Sequence, residues 1–223
     1  MTTSALIFAG GTGSRMNTKT LPKQFLELHG KPIIIHTIEH FEDHPAVSDI
    51  VVVCVDGWLD YCRDLLARFN IKKVSQVVPG GKTGQMSIFN GLSVLREKYK
   101  NDDDYVLIHD GARPYVSLGL IERIKRALET EKAALLAISS KDTVKRVKDG
   151  YVLETYPRSE LMLAQTPQGF ETDLILECYK KAKKEGYLAT DDASLVEYYS
   201  DVPVKIVEGS PSNFKITTPD DLR

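Results

Sequence analysis

Short runs of apolar, often β-branched residues punctuate this chain at Ala5 to Ala9, Ile50 to Val55, Val74 to Val78, Tyr105 to Ile108, Ala133 to Ile138 and Val204 to Val207. Each is continuous rather than alternating, which is how a strand reads when both of its faces are buried. Between them lie stretches of helical periodicity, at Ile33 to Phe41, Trp58 to Phe69, Gln85 to Tyr99, Leu118 to Leu128 and Leu174 to Lys184. Parallel strands cannot be joined by a tight turn and need a crossover, which a helix supplies. The alternation therefore predicts an α/β fold with a mainly parallel sheet and helices on both faces. At 223 residues the chain suits one large domain spanning residues 1–223, with a substantial core.

The alternation fails from Ser139 to Gln165. Asp142 to Val147 and Tyr151 to Thr155 flank Lys148-Asp149-Gly150 and predict a hairpin, so residues 139–165 read as a β-arm inserted into and projecting from the sheet. A two-stranded ribbon is marginal in water by itself, and a second copy of the chain is the simplest partner for it. Near the end, Thr218-Pro219-Asp220-Asp221 carries a helix-start signature, a capping Thr followed by Pro and acids. The announced helix has no room to continue, so the chain reads as a shortened form.

Lys+Arg 29 against Asp+Glu 31 gives a net charge of -2, and no overall basic field argues for nucleic acid or an anionic membrane. The start, Met1 to Ala9, carries no basic leader, and its apolar run is too short for a signal core or a membrane span, which predicts a cytoplasmic protein. Cys54, Cys62 and Cys178 are odd in number, lack C-x-x-C spacing and read as buried reduced thiols.

Ala9-Gly10-Gly11-Thr12-Gly13-Ser14-Arg15-Met16 follows the first predicted strand directly. Glycines let backbone N–H groups approach a ligand closely, which suits phosphate binding at the carboxyl end of a strand; a tight turn without a ligand is the plainer alternative. The dinucleotide pattern G-x-G-x-x-G needs a third Gly where Met16 stands, which disfavours a nicotinamide enzyme. Gly80-Gly81-Lys82-Thr83 resembles the tail of a P-loop, but the earlier Gly that this pattern requires is Gln76. What accompanies the first glycines is positive charge, Arg15 and then Lys23, a fork and a point charge able to neutralise a triphosphate.

Ligands of open parallel sheets gather at the carboxyl ends of the strands. There stands His109-Asp110-Gly111-Ala112-Arg113-Pro114, in which Asp110 could hold Mg²⁺ or orient a hydroxyl and Arg113 could meet a phosphate; a local Asp–Arg turn pair is the alternative. After Val78, the loop around Gly81 and the Ser87 hydroxyl could read a base or sugar edge, with helix capping as the plainer role of Ser87. Gln165 to Phe170, Thr190 to Ala193 and Asn213 to Thr217 are polar clusters that singly read as caps or turns. The His residues lack metal-ligand spacing and no nucleophile motif is present, so chemistry by positioning and charge neutralisation fits best.

Together, Ala9 to Met16, Pro22-Lys23-Gln24, Asp110 to Pro114, Asp142-Thr143-Val144-Lys145, Arg158, Gln165 to Gln168, Thr190 to Ala193 and Asn213 to Thr217 resemble the 2-C-methyl-D-erythritol 4-phosphate cytidylyltransferases over nearly the whole chain. The resemblance implies a Rossmann-like nucleotidyltransferase fold, a homodimer joined through its arms, and Mg²⁺-dependent transfer of CMP from CTP to a sugar-alcohol phosphate. It implies that Ala9, Gly10, Gly11, Thr12 and Gly13 with Arg15 and Lys23 bind the triphosphate, and that Gly81, Ser87, Asp110 and Ala112 complete the nucleotide site. Asp110, Arg113, Thr143, Arg158, Thr166 and Lys215 would surround the acceptor, Thr143 and Arg158 reaching across the dimer. Arg15, Lys23 and Lys215 would be the catalytic cations and Asp110 the metal ligand. Many relatives carry a basic residue near Gly84 and an aromatic one near Leu163, and both are missing here. The opening and the Leu21 to Leu28 run look more like ribitol 5-phosphate enzymes, the middle more like the methylerythritol enzymes, and the arm tips the expectation toward methylerythritol phosphate. A sugar nucleotidyltransferase using UTP or GTP shares the opening glycines, and a silent binding module would keep the loops without turnover.

Overall fold

A computed structural model describes residues 2–11, 21–99 and 104–222. The strands are β1 (Thr3–Ala9), β2 (Glu27–Leu28), β3 (Lys31–Pro32), β4 (Val47–Cys54), β5 (Val74–Pro79), β6 (Tyr105–Asp110), β7 (Ala133–Ser139), β8 (Lys145–Lys148), β9 (Tyr151–Thr155), β10 (Met162–Glu171) and β11 (Lys205–Glu208). The helices are α1 (Ile33–Glu42), α2 (Leu59–Arg68), α3 (Gly84–Lys98), α4 (Leu118–Ala127), α5 (Thr172–Glu185) and α6 (Asp192–Tyr199). The main sheet runs β11-β7-β10-β6-β1-β4-β5, with β10 antiparallel to both of its neighbours and the other pairs parallel.

Period-two side-chain alternation divides the core between the two faces of the sheet. Ala5, Ile7 and Ala9 of β1 and Ile50 and Val52 of β4 meet α1, α2 and α4 on one face. Leu6, Val51 and Val53 meet α3, α5 and α6 on the other. In α1, Ile34, Ile35, Ile38 and Phe41 have no exposure, an i, i+1, i+4, i+7 stripe whose burial stabilises the fold by roughly 1.5–3 kcal/mol per large side chain. The expected α/β architecture with helices on both faces is present.

Two elements depart from expectation. Gln165 to Phe170, read as a cap or turn, lies inside β10, and Thr190 to Ala193 opens the helix α6, absent from the predicted helices. A Pro argues against a central strand because it cannot donate to the ladder. The register answers this, since Gln165 pairs with Leu136 and Gln168 with Leu135, leaving Thr166 and Pro167 in a bulge with a cis peptide between them.

The hairpin begins three residues later than predicted, as β8 and β9, turning on Asp149 (φ 51°) and Gly150 (φ 84°), the positive-φ pair of a tight hairpin turn. Every residue of both strands is exposed. The C-terminal helix signature yields one 3-10 turn at Pro219–Leu222, and the cap is Asp221, whose carboxylate accepts the N–H groups of Thr217 and Thr218 at 2.8 Å each.

Candidate active site

The sheet delivers β1, β5 and β6 with their carboxyl ends together, and the residues that follow them form the site. Beyond β1, Gln24 in the turn Lys23–Phe25 is buried and donates to the Ala9 carbonyl at 2.6 Å, holding the start of the first glycine turn against the sheet. A Cβ on Gly10 would fall 2.9 Å from the Phe8 ring and 3.1 Å from Ser87 Oγ, so the glycine permits a close approach there. Thr12, Gly13 and Arg15 lie outside the described residues.

The loop after β5 is stitched internally. Thr83 caps α3 by accepting from the Met86 N–H at 3.1 Å. Ser87, buried within the first turn of that helix, accepts from the Gly81 N–H and donates to the Thr83 carbonyl, both at 2.8 Å. Its hydroxyl proton is therefore spent on the loop, and Ser87 shapes the turn from beneath. A Cβ on Gly81 would sit 2.6 Å from Met86 Cβ, which only a glycine avoids.

The residues Asn213 to Thr217 hold the remaining parts together. Lys23 Nζ donates to the Ile216 carbonyl at 2.8 Å, and the Ile216 N–H donates to the Ala112 carbonyl at 2.8 Å. Arg113 Nη1 donates to the Asn213 carbonyl, and Asn213 Nδ2 to the Thr166 carbonyl, each at 2.8 Å. Asp110 then receives two cations, Lys215 Nζ at 2.8 Å on Oδ1 and Arg113 Nε at 3.1 Å on Oδ2. Burial pushes the Asp110 carboxyl up, but Lys215 and Arg113 outweigh it and hold the group below the ordinary carboxylate range. The turn-pair alternative for Asp110 and Arg113 is thus half of the account, since Lys215 arrives from far along the chain.

These groups open onto a cavity of about 640 Å³ lined by Asp110, Arg113, Thr166 and Lys215 on one side and Gln168, Tyr179, Asp191 and Asp192 on another. Gln168 clamps the N-terminus of α6, donating to Asp191 Oδ2 at 2.8 Å and accepting the Ala193 N–H at 2.9 Å. Tyr179 donates a short hydrogen bond to Asp192. Burial pushes Asp192 up to about 7 against that hydrogen bond, with the Asp191 and Asp110 charges adding to the rise. Beneath Thr166, His109 has no exposure, and burial drives its imidazole down to about 3.

The structure thus brings Asp110, Arg113, Thr166 and Lys215 to one wall and connects Lys23 and Ala112 to the same segment. Gly81 sits in the adjoining loop. Thr143 and Arg158 stand apart, both exposed on the flanks of the hairpin, with Arg158 Nη1 on the Lys141 carbonyl at 3.0 Å. Sequence reasoning passed over Gln168, Tyr179, Asp192, His109 and Asn213 as site residues. The signal for His109 was its place at the carboxyl end of β6, directly before the acid.

A glycine turn after the first parallel strand, beside buried paired charge and an open cavity, is the site of a nucleotidyltransferase. The profile of the family described as 2-C-methyl-D-erythritol 4-phosphate cytidylyltransferase (IspD) matches residues 3–223. A ribitol-5-phosphate cytidylyltransferase from Streptococcus agalactiae serotype III is 45% identical over 97% of this chain and 91% of its own length. A 2-C-methyl-D-erythritol 4-phosphate cytidylyltransferase from Clostridium botulinum (strain 657) is 42% identical over 98% and 93%. The solved 4-diphosphocytidyl-2C-methyl-D-erythritol synthase from Anaerococcus prevotii superposes with a TM-score of 0.85 at 33% identity, covering 99% of this chain and 94% of that one. The chain belongs to the 2-C-methyl-D-erythritol 4-phosphate cytidylyltransferase family, and it is a cytidylyltransferase enzyme. Among the described residues no helix is long and apolar enough to cross a membrane.

Proposed function

We propose that the enzyme transfers CMP from CTP to a polyol phosphate, 2-C-methyl-D-erythritol 4-phosphate first, with release of pyrophosphate. The observation that carries this is the Asp110, Arg113 and Lys215 cluster on the cavity wall beside the first glycine turn. The acceptor phosphate oxygen attacks the α-phosphorus in line, so two anions must be brought together against their repulsion. Lys215 and Lys23, held on one segment, and Arg15 neutralise that charge and the pyrophosphate as it leaves. Ala9, Gly10, Gly11, Thr12 and Gly13 contribute backbone dipoles to the triphosphate, while the loop shaped by Gly81 and Ser87, with Ala112, bounds the cytidine. Ribitol 5-phosphate is the second reading, favoured by the 45% identical relative and by the missing aromatic residue near Leu163.

Magnesium fits as an ion borne by phosphate. No group of three or more His, Cys, Asp or Glu suited to a metal occurs among the described residues, whereas Mg²⁺ commonly needs only one or two carboxylates when substrate phosphates complete its shell. Asp110 would hold it, with its cations able to turn to the phosphates instead. When bound, the ion supplies further neutralisation of phosphate oxygens.

A homodimer completes the reading, with the hairpin of one copy carrying Thr143 and Arg158 to the acceptor of the other. The exposed Val147, Tyr151, Val152 and Leu153 on that hairpin support it. The free, buried Cys54, Cys62 and Cys178 suit a reducing, cytoplasmic setting. The test is pyrophosphate release from CTP and Mg²⁺ with methylerythritol 4-phosphate, ribitol 5-phosphate and glycerol phosphate in separate reactions. Use of methylerythritol phosphate at the highest kcat/KM supports the first reading, and a large preference for ribitol phosphate replaces it with the second. In light scattering, Val152→Asp should convert dimer to monomer while leaving the fold intact.

A further inference from the structure

The buried face of α1 is made of isoleucines and Phe41, and Thr37 interrupts it with a hydroxyl that has no exposure. A buried hydroxyl is costly unless it is hydrogen-bonded. Thr37 Oγ1 stands 3.1 Å from the Gly111 carbonyl and 3.2 Å from the Ile33 carbonyl, both of which can only accept. Ile33 lies four residues back in the same helix, where the helical ladder already supplies its carbonyl with the Thr37 N–H. Gly111 is buried, and its carbonyl has no other donor among the described residues. The hydroxyl hydrogen of Thr37 therefore serves Gly111.

That carbonyl belongs to the turn bearing Asp110 and Arg113, in which every carbonyl from Asp110 to Pro114 is engaged. The Arg113 N–H donates to Asp110 at 3.0 Å and the Ile216 N–H to Ala112 at 2.8 Å. The His109 and His40 rings reach the Arg113 and Pro114 carbonyls at 3.2 and 3.1 Å. One donor is treated differently. Ala112 is only 5% exposed, yet its N–H has no hydrogen-bond partner among the described residues, and a buried N–H left so is rare. The Gly111 carbonyl and the Ala112 N–H are the two ends of one trans peptide and point in opposite directions. By drawing the carbonyl toward α1, Thr37 turns that N–H away from α1. The Gly111 N–H, on the Phe8 carbonyl at 2.8 Å, pins the preceding peptide to β1.

We infer that Thr37 is a positioning residue that fixes the Gly111–Ala112 peptide so that the Ala112 N–H is presented as a donor to an acceptor atom of the bound cytidine. This inference rests on the cytidylyl-transfer reading, which sets Ala112 beside the nucleotide, and adds to it a side chain that never touches substrate. Its loss should weaken CTP and leave the acceptor and the chemical step alone.

The test follows pyrophosphate release with the better acceptor in the wild type, Thr37→Ser, Thr37→Cys and Thr37→Val. Serine keeps the donor, cysteine is a weak one and valine is none. Thr37→Val should raise the CTP KM about tenfold, the scale of one hydrogen bond, with kcat and the acceptor KM unchanged. Thr37→Ser should match the wild type, and Thr37→Cys should fall between. In protein labelled with nitrogen-15 alanine, the Ala112 amide proton should move downfield when CTP is added to the wild type and move less in Thr37→Cys. A CTP KM unchanged in Thr37→Val, an acceptor KM that rises as much as that for CTP, or an Ala112 amide indifferent to CTP in the wild type overturns the inference. If Thr37→Val does not fold, Thr37→Cys decides alone, and a CTP KM equal to that of Thr37→Ser overturns it. A wild type that releases no pyrophosphate with any acceptor overturns the functional reading instead.

Discussion

Asp110 and Asp192 share one cavity, and both are largely shut off from solvent, yet their acidities move in opposite directions. Burial raises both. Asp110 meets Lys215 and Arg113 and stays a carboxylate, whereas Asp192 meets a tyrosine hydroxyl and a neighbouring acid and rises to about 7. The difference lies in the partner, not the depth, and it distinguishes an ionic wall around Asp110, where anions are to be handled, from an acidic wall around Asp191 and Asp192 that shapes the cavity.

The largest effect should fall on the ionic wall. Lys215→Ala or Lys23→Ala should lower pyrophosphate release by at least about 10²-fold, the scale of losing one charge-stabilising donor. Near-normal turnover by either folded variant would break the assignment of that wall to chemistry. The acidic wall should answer to pH. Because the folded-state value of Asp192 lies above its ordinary 3.8, its contribution to stability is fully present below that value and lost as pH rises toward about 7. Urea denaturation at a series of pH values should therefore show a decline of a few kcal/mol at most across that window, flattened in Asp192→Asn. Asp110 has the opposite sign, contributing above 3.8 and losing its contribution only as pH falls below that value. Smallest is Tyr179→Phe, which should cost about 1–2 kcal/mol and raise Asp192 further, since the lost hydrogen bond favoured the carboxylate. A wall indifferent to all three changes would erase the distinction.

Much of this was legible before any coordinates, and the pattern of success is physical. Continuous apolar runs announce strands buried on both faces, and Ala5 to Ala9 and Ile50 to Val55 carry that signal without competition. The strand Met162–Glu171 was invisible because its middle carries Pro167 and Gly169, which disfavour strands, and Pro167 is accommodated there only by the bulge. The Asp192–Tyr199 helix is short, and its capping acids mask its apolar core. In the site, Asp110 and Arg113 were readable because they stand only three residues apart on one turn. The partnership with Lys215, the clamp by Gln168 and the roles of His109 and Asn213 depend on contacts between distant segments that spacing alone does not encode.

The reversed strand β10 carries a final implication. Enzymes on parallel sheets usually diversify through their surface loops, which lengthen and shorten freely. Here Gln168 is threaded between β6 and β7 and paired with both, where an insertion would dislodge two neighbours at once. A lineage that changes its sugar alcohol must therefore do so by single side-chain exchange on that strand, or by redrawing the loops and hairpin that face it, and cannot do so by adding length to the strand itself.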